Sequence, residues 1–109
     1  MRQLILPLIA AGVLSCLVVT GAQAQADAAK VYKANCELCH GTDGSGDTPS
    51  GKAMHAKDLR SDEVQKQSDA ALNEVITKGK GKMPVFGARI KPVDVVKLVA
   101  YIRSLPPNK

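Results

Sequence analysis

The clearest pattern of apolar and polar positions lies near the C-terminus, where apolar residues recur at helical spacing. They are Val95, Leu98, Val99, Ile102 and Leu105. Residues spaced in this way share one face of an α-helix. Pro92 suits the first position of such a helix, and the pair Pro106-Pro107 should end it. The pattern therefore predicts a last helix that starts at Pro92 and buries one face.

Two earlier stretches also predict helices. The first covers Ala28 to about Cys39, with Asp27 as its N-cap. The second covers Asp69 to about Lys78, with Ser68 as its N-cap, and Gly79 is a natural stop. Its apolar stripe consists of Ala71, Leu72, Val75 and Ile76. No run of residues reads as a strand, so the chain is expected to be all-α, with three main helices.

The segments between these helices are rich in turn-forming residues. Residues 41–51 contain several glycines together with Asp, Ser and Pro, which predicts a long loop, and we interpret it as wrapped over a cofactor. Residues 58–66 are expected to hold a helical turn, and residues 79–87 a second loop. Long loops between few helices leave much of the chain free to surround a bound group.

The N-terminus has the pattern of a secretory signal peptide. A short basic start precedes the apolar run Leu4 to Val19, and Ala22-Gln23-Ala24 provides a small-x-small cleavage sequence. We expect cleavage after Ala24, with Ala26 as the second choice, which gives a signal peptide over 1–24 and a domain over 25–109. A retained membrane anchor is an alternative, although the run is short for a bilayer span. Lipidation at Cys16 fits less well, because apolar residues continue past it.

Composition limits what the domain can do alone. The chain has 109 residues with one Phe, two Tyr and no Trp. Small domains bury a low fraction of their surface, so few large side chains make a weak core. A bound apolar cofactor would supply the missing bulk. The formal charge of +5 comes without a dense Lys/Arg run or interleaved aromatics, and it does not favour nucleic-acid binding.

The chemistry centres on Cys36-Glu37-Leu38-Cys39-His40, a C-x-x-C-H sequence. This is the attachment signature of c-type haem. Two thiols at this spacing can form thioethers with the two vinyl groups on one porphyrin edge, and the next residue can bind the iron. A thioredoxin-type dithiol, a zinc site or a simple disulfide are the alternatives. The residues before Cys36 look helical, which weighs against a thioredoxin-type dithiol, because that motif usually follows a strand. A zinc site would need further ligands that the segment lacks. His40 directly after Cys39 favours haem over a simple disulfide.

With these residues, the chain resembles the small class I bacterial cytochromes c, which are monohaem electron carriers of the periplasm. Four stretches carry the resemblance: Cys36-Glu37-Leu38-Cys39-His40, the glycine-rich loop ending near Leu59, Lys80-Gly81-Lys82-Met83-Pro84-Val85-Phe86, and Leu98-Val99-Ala100-Tyr101-Ile102. The resemblance implies the class I cytochrome c fold, with three main helices and long loops around one covalently bound haem c.

The resemblance also implies roles for single residues. Cys36 and Cys39 would form the thioethers, and His40 and Met83 would be the axial ligands of the iron. Leu59 and Tyr101 would pack against the haem. Ala28 and Tyr32 of the first helix would pack across Leu98 and Tyr101 of the last. Pro49 is a weaker match to the proline whose carbonyl orients the proximal histidine.

Met83 also has support from its own chemistry. A thioether is a soft, neutral ligand, and Met/His ligation raises the reduction potential of haem iron. Pro84 restricts the preceding residue to extended geometry. Plain packing is the alternative for Met83, and His55 or Met54 are rival ligands in the middle of the chain.

We therefore expect an electron carrier and not an enzyme, monomeric and without a small-molecule substrate. Lys78, Lys80 and Lys82, with Lys52 and Lys57, would steer acidic redox partners, or would simply form a solvated face. The alternatives are a haem enzyme or gas sensor with a labile sixth site, a dithiol oxidoreductase, and a redox subunit of a dehydrogenase or oxidase.

Overall fold

The computed structural model describes residues 20–107, and this part of the chain is helical. The helices are α1 (Thr20–Asn35), α2 (Glu37–His40), α3 (Pro49–Met54), α4 (Asp62–Gln65), α5 (Asp69–Lys78) and α6 (Pro92–Ser104). Within the described range the only β feature is an isolated bridge between Lys80 and Met83. The expected all-α class is confirmed. None of the helices in this range is both long and apolar enough to span a membrane.

The two helices with the strongest sequence signals begin where predicted. The side chain of Ser68 accepts a hydrogen bond from the backbone N–H of Ala71 and caps α5. Pro92 occupies the first turn of α6, where its missing N–H is not needed. The predicted helical turn after residue 58 is α4, and Ser61 caps it. A serine cap thus marks the start of α4 and α5, and a proline in the first turn marks the start of α6.

The first helix differs from its prediction. It extends back to Thr20, so Asp27 is not its N-cap. Instead, Asp27 lies within the helix, where it accepts a hydrogen bond from Gln23 at 3.0 Å and faces Lys97 at 3.8 Å. The Ala-rich stretch before Asp27 has high helix propensity, so the helix does not need to start at the cap. Of the predicted signal peptide, residues 1–19 and with them Cys16 lie outside the described residues.

A short helix that we did not predict interrupts the glycine-rich loop. Thr48 caps α3 by accepting from the N–H of Gly51, and Pro49 begins it. His55 ends it in the left-handed conformation, with φ of 55°. The segment therefore folds back instead of extending, which brings the residues that follow it close to His40.

The core forms where α1 and α5 pack against α6. Tyr32 and Leu98 are its most buried large side chains, 1% and 0% exposed. The rings of Tyr32 and Tyr101 lie 5.0 Å apart between centroids and tilt at 43°. Ala28 of α1 is buried as well, and α1 packs against α6, which agrees with the predicted contact between the first and last helices. This packing forms one wall of a large cavity.

Candidate cofactor site

A cavity of about 590 Å³ opens between α1, α2, α5, α6 and the loop after α5. This is within the range of about 300–1,000 Å³ that ligand pockets occupy. Its apolar walls include Leu59, Val64, Leu72, Ile76, Phe86, Leu98 and Ile102. Five residues that the sequence singled out also line it, namely Cys36, Cys39, His40, Leu59 and Met83. Tyr101 is not among the lining residues, but its ring packs against that of Tyr32, and its packing against a haem stays a prediction.

Hydrogen bonds from α1 and from the loop after His40 hold the C-x-x-C-H turn and the adjacent Gly41 through their carbonyls. Tyr32 Oη donates to Gly41 O at 2.7 Å, and Gly46 N donates to His40 O at 2.7 Å. Thr48 Oγ1 lies 2.8 Å from Leu38 O and 3.1 Å from Cys39 O, so its proton can serve either carbonyl. These bonds satisfy groups that a helix C-terminus leaves without partners. They fix the turn that carries His40.

Close contact between α3 and α2 depends on Gly51. A Cβ at this position would clash with the carbonyl oxygens of Cys39 and Gly46. Because both atoms belong to the backbone, neither can move away cheaply. Gly51 is therefore required for α3 to pack against the C-x-x-C-H turn.

The ring of His40 is oriented by a backbone carbonyl. Its Nδ1 lies 2.9 Å from Lys57 O. The prediction that Pro49 supplies this carbonyl is wrong, because the carbonyl at Nδ1 belongs to Lys57, while Pro49 lies in the first turn of α3. With Nδ1–H donating to Lys57 O, Nε2 is the nitrogen left to bind a metal. Burial lowers the pKa of His40 and outweighs the opposing effect of this hydrogen bond, which favours the neutral ring that a metal ligand needs.

The two cysteines are free thiols, both half-buried at the cavity wall. Burial, with a smaller contribution from Cys39, raises the pKa of Cys36 to about 11. The thiol of Cys36 is therefore protonated near neutral pH. No group of three or more His, Cys, Asp or Glu side chains within residues 20–107 is arranged to hold a metal ion.

Met83 reaches the cavity on the loop that follows α5. Lys80 N donates to Met83 O at 3.2 Å, and Met83 N donates to Lys80 O at 2.9 Å. Gly79, with φ of 76°, starts this turn, and a Cβ there would lie 2.7 Å from Met83 O. Further along, Phe86 N donates to Ile76 O at 3.2 Å and so ties the loop back to α5. The loop therefore holds Met83 half-buried at the cavity.

The rival ligands Met54 and His55 line the same cavity. They lie at the end of α3, directly before Lys57. The segment that carries them is thus the one that supports the back of the His40 ring. Met54 and His55 are therefore tied to the segment that contacts the His40 ring. Met83 comes from a different segment, the loop after α5, and is not tied in this way.

The residues at the cavity suit a covalently attached haem. Two free thiols line the cavity together with a histidine whose Nε2 is available, among apolar walls large enough for a macrocycle. Reasoning from sequence missed three features of this site. These are the carbonyl of Lys57, the hydroxyl of Thr48 and the carboxylate of Glu63 at the cavity rim. The sequence did contain a signal for the role of Thr48, because a capping residue followed by proline, as in Thr48-Pro49, indicates a helix start.

Comparison with known proteins agrees with this geometry. A family model described as "Cytochrome C oxidase, cbb3-type, subunit III" matches residues 23–102. This chain belongs to the cytochrome c family. Cytochrome c6 of Aphanizomenon flos-aquae is 35% identical over 83 residues, which are 73% of this chain and 88% of the relative. Cytochrome c6 of Picosynechococcus sp. is 32% identical over 85 residues, 73% of this chain and 72% of the relative.

Two further similarities bear on the kind of cytochrome. The solved structure of the KustC0563 c-type cytochrome superposes with a TM-score of 0.67 at 33% identity, covering 72% of this chain and 96% of that one. The Cbb3-type cytochrome c oxidase subunit FixP of Azorhizobium caulinodans is 33% identical over 79 residues, but these cover only 26% of FixP. This protein is thus a small, class I-like monohaem cytochrome with covalently bound haem c. It is an electron carrier whose partners are redox proteins.

Proposed function

We propose that this cytochrome shuttles single electrons between periplasmic redox partners, with His40 and Met83 as the axial ligands of its haem iron. The observation that supports the proposal is that both side chains line one cavity but reach it from separate segments. When bound, haem c supplies a one-electron iron couple. The protein's part is to attach it through Cys36 and Cys39 and to cover both faces.

The two ligands have different supports and different effects. His40 is held from behind by Lys57 O, which raises the basicity of the ring. Met83 is held by its reciprocal bonds with Lys80 and by Pro84 directly after it. A neutral thioether opposite an imidazole favours reduced iron and raises the potential. With both axial positions filled by the protein, no substrate can bind the metal, which fits a carrier and not an enzyme.

The periplasmic location and the monomeric state belong to the same proposal. The pattern of residues 1–24 supports export and removal of a signal peptide, which leaves a domain over 25–109. Haem attachment through a C-x-x-C-H sequence is compatible with that route. A carrier that docks briefly with several partners can act as a monomer with a single domain, so we include the monomeric state in the proposal.

Partners with acidic docking surfaces are supported by lysines at the cavity rim, although not by all five that the sequence suggested. Three of the five form surface ion pairs: Lys52–Asp47 at 3.0 Å, Lys57–Glu63 at 2.9 Å and Lys78–Glu74 at 3.3 Å. Lys80 and Lys82 line the cavity, and within residues 20–107 neither has a carboxylate at salt-bridge distance. These two are therefore the cations best placed to attract an acidic partner.

A second candidate function is that of a redox subunit in a larger complex. It is favoured by the printed description of the matching family model and by the likeness to FixP. In that case the same haem would pass electrons within an assembly instead of between free proteins. Size-exclusion chromatography of the native periplasmic extract, followed at the haem absorption, separates these cases by the mass at which the cytochrome elutes.

The test of the axial ligands is Met83→Ala with Met54→Ala as the matched control. Both residues line the cavity, and both changes remove one thioether. Wild type and Met54→Ala should show the weak red-end band of Met–iron ligation and should not bind carbon monoxide readily. Met83→Ala should lose the band, bind carbon monoxide and have a lower reduction potential. If wild type binds carbon monoxide as readily as Met83→Ala, the sixth site is open and an enzyme or gas sensor replaces the carrier.

A further inference from the structure

Among residues 20–107, the lining of the cavity includes one carboxylate and several cations. The lining residues include Lys57, Lys80, Lys82 and Arg89, and Glu63 is their acidic counterpart. Glu63 lies in α4, and its Oε1 accepts a hydrogen bond from Lys57 Nζ at 2.9 Å. The charge of Glu63 is therefore held at the rim by a specific partner.

Glu63 interacts with lysines from both segments that support the proposed axial ligands. Lys57, its hydrogen-bond partner, supplies the carbonyl behind the ring of His40. Lys80, which makes the reciprocal bonds with Met83, also acts on Glu63 through its positive charge. The hydrogen bond from Lys57, and secondarily the charges of Lys57 and Lys80, lower the pKa of Glu63. This lowered pKa favours the ionised carboxylate.

We propose that Glu63 tunes the bound haem electrostatically: its negative charge, held at the cavity rim by Lys57, lowers the reduction potential. The inference rests on the proposed function, because it takes the cavity to hold the redox iron. Oxidation adds one positive charge to the iron. A fixed negative charge nearby stabilises that state relative to the reduced one. The neighbouring lysines act in the opposite direction, so Glu63 limits how far they raise the potential.

The effect of Glu63 on folding is expected to be small. The side chains of Lys57 and Glu63 are 63% and 66% exposed. Exposed ion pairs contribute little to stability, because water screens the charges and the long side chains lose freedom. A change in potential without a change in stability therefore distinguishes tuning by charge from a structural role.

The experiment compares Glu63→Gln with Glu74→Gln in the haem-loaded protein. Both changes remove one negative charge from an exposed carboxylate that pairs with a lysine, but Glu74 does not line the cavity. Glu63→Gln should raise the reduced-to-oxidised ratio at fixed ambient potential by about twofold or more, roughly 18 mV at 59 mV per tenfold change for one electron. Glu74→Gln should shift the reduction potential by less than half as much as Glu63→Gln. Glu63→Asp, which keeps the charge, should stay close to wild type.

Three readouts decide the outcome. The shift caused by Glu63→Gln should shrink at 1 M salt, where screening shortens to about 3 Å. The red-end band and the unfolding midpoint should stay as in wild type. Equal shifts from Glu63→Gln and Glu74→Gln, or loss of the red-end band in Glu63→Gln alone, would overturn the inference. Absence of the band from wild type would instead refute Met83 ligation, and the two glutamine variants would still report the charge effect.

Discussion

The buried hydroxyl of Tyr32 allows a quantitative test of how much one hydrogen bond stabilises the C-x-x-C-H turn. Tyr32 is 1% exposed, and its Oη donates to Gly41 O at 2.7 Å. Burial raises the pKa of Tyr32 far above its usual range, so this proton is present throughout the working pH range. Tyr32→Phe removes the donor and keeps the ring. Gly41 O then keeps only the hydrogen bond from Gly44 N, at 3.2 Å.

The hydrogen bond that Gly41 O keeps determines how much free energy of unfolding we expect Tyr32→Phe to remove. An ordinary intramolecular hydrogen bond contributes about 0.5–1.5 kcal/mol, and a buried group left without any partner costs about 1–3 kcal/mol. Because Gly41 O retains one long bond, we expect Tyr32→Phe to lower the free energy of unfolding by about 1–2 kcal/mol. In a domain of this size each kcal/mol shifts the melting temperature by roughly 4–8 °C, so Tm should fall by about 4–16 °C.

The matched control is Tyr101→Phe. The two rings are neighbours, and the hydroxyl of Tyr101 makes no hydrogen bond within residues 20–107. Thermal unfolding of the haem-loaded proteins, followed by circular dichroism, measures both changes. Tyr101→Phe should shift Tm by no more than a few degrees. Equal destabilisation by the two substitutions would mean that the bond to Gly41 does not hold the turn.

Two further predictions concern attachment and docking. If Cys36 and Cys39 carry the haem, replacing both with alanine should abolish covalent haem and the cooperative unfolding transition, since the cavity would lose the group proposed to fill it; a cooperatively folded, haem-free double variant would contradict this. The double variant Lys80→Glu/Lys82→Glu should slow association with an acidic redox partner and flatten its dependence on ionic strength. Lys52→Glu/Lys78→Glu, with the same change in net charge, should slow it less, and equal slowing in stopped-flow measurements would count against a localised docking surface.

Sequence patterns were most informative where a local signal agreed with the tertiary packing. Ser68 and Pro92 mark helix starts because a capping hydroxyl and a missing N–H act within one turn of the chain. Asp27 gave the same kind of signal and was misleading. The alanine-rich residues before it are themselves good helix formers, so the cap is bypassed.

The arrangement behind His40 could not be predicted from local patterns. The acceptor for its Nδ1 is a main-chain oxygen at Lys57, and every residue type provides one. Only the fold of α3, ended by His55 in the left-handed conformation, decides which carbonyl arrives there. The residues that line the cavity were more accessible to prediction, because thiols, imidazole and thioether are chemically distinctive. Their ligation to iron stays a prediction.

The hydrogen bonds that hold the C-x-x-C-H turn are short-range along the chain, and this has a consequence for the order of assembly. The bonds from Tyr32, Gly46 and Thr48, and the contact of His40 with Lys57, join residues no more than 17 positions apart. Closing such small loops loses little chain entropy, whereas the contact between α1 and α6 must close nearly the whole domain. We therefore expect the segment from Tyr32 to Lys57, which carries Cys36, Cys39 and His40, to assemble first. Met83, on the loop after α5, would reach its place at the cavity late, after α5 and α6 have docked.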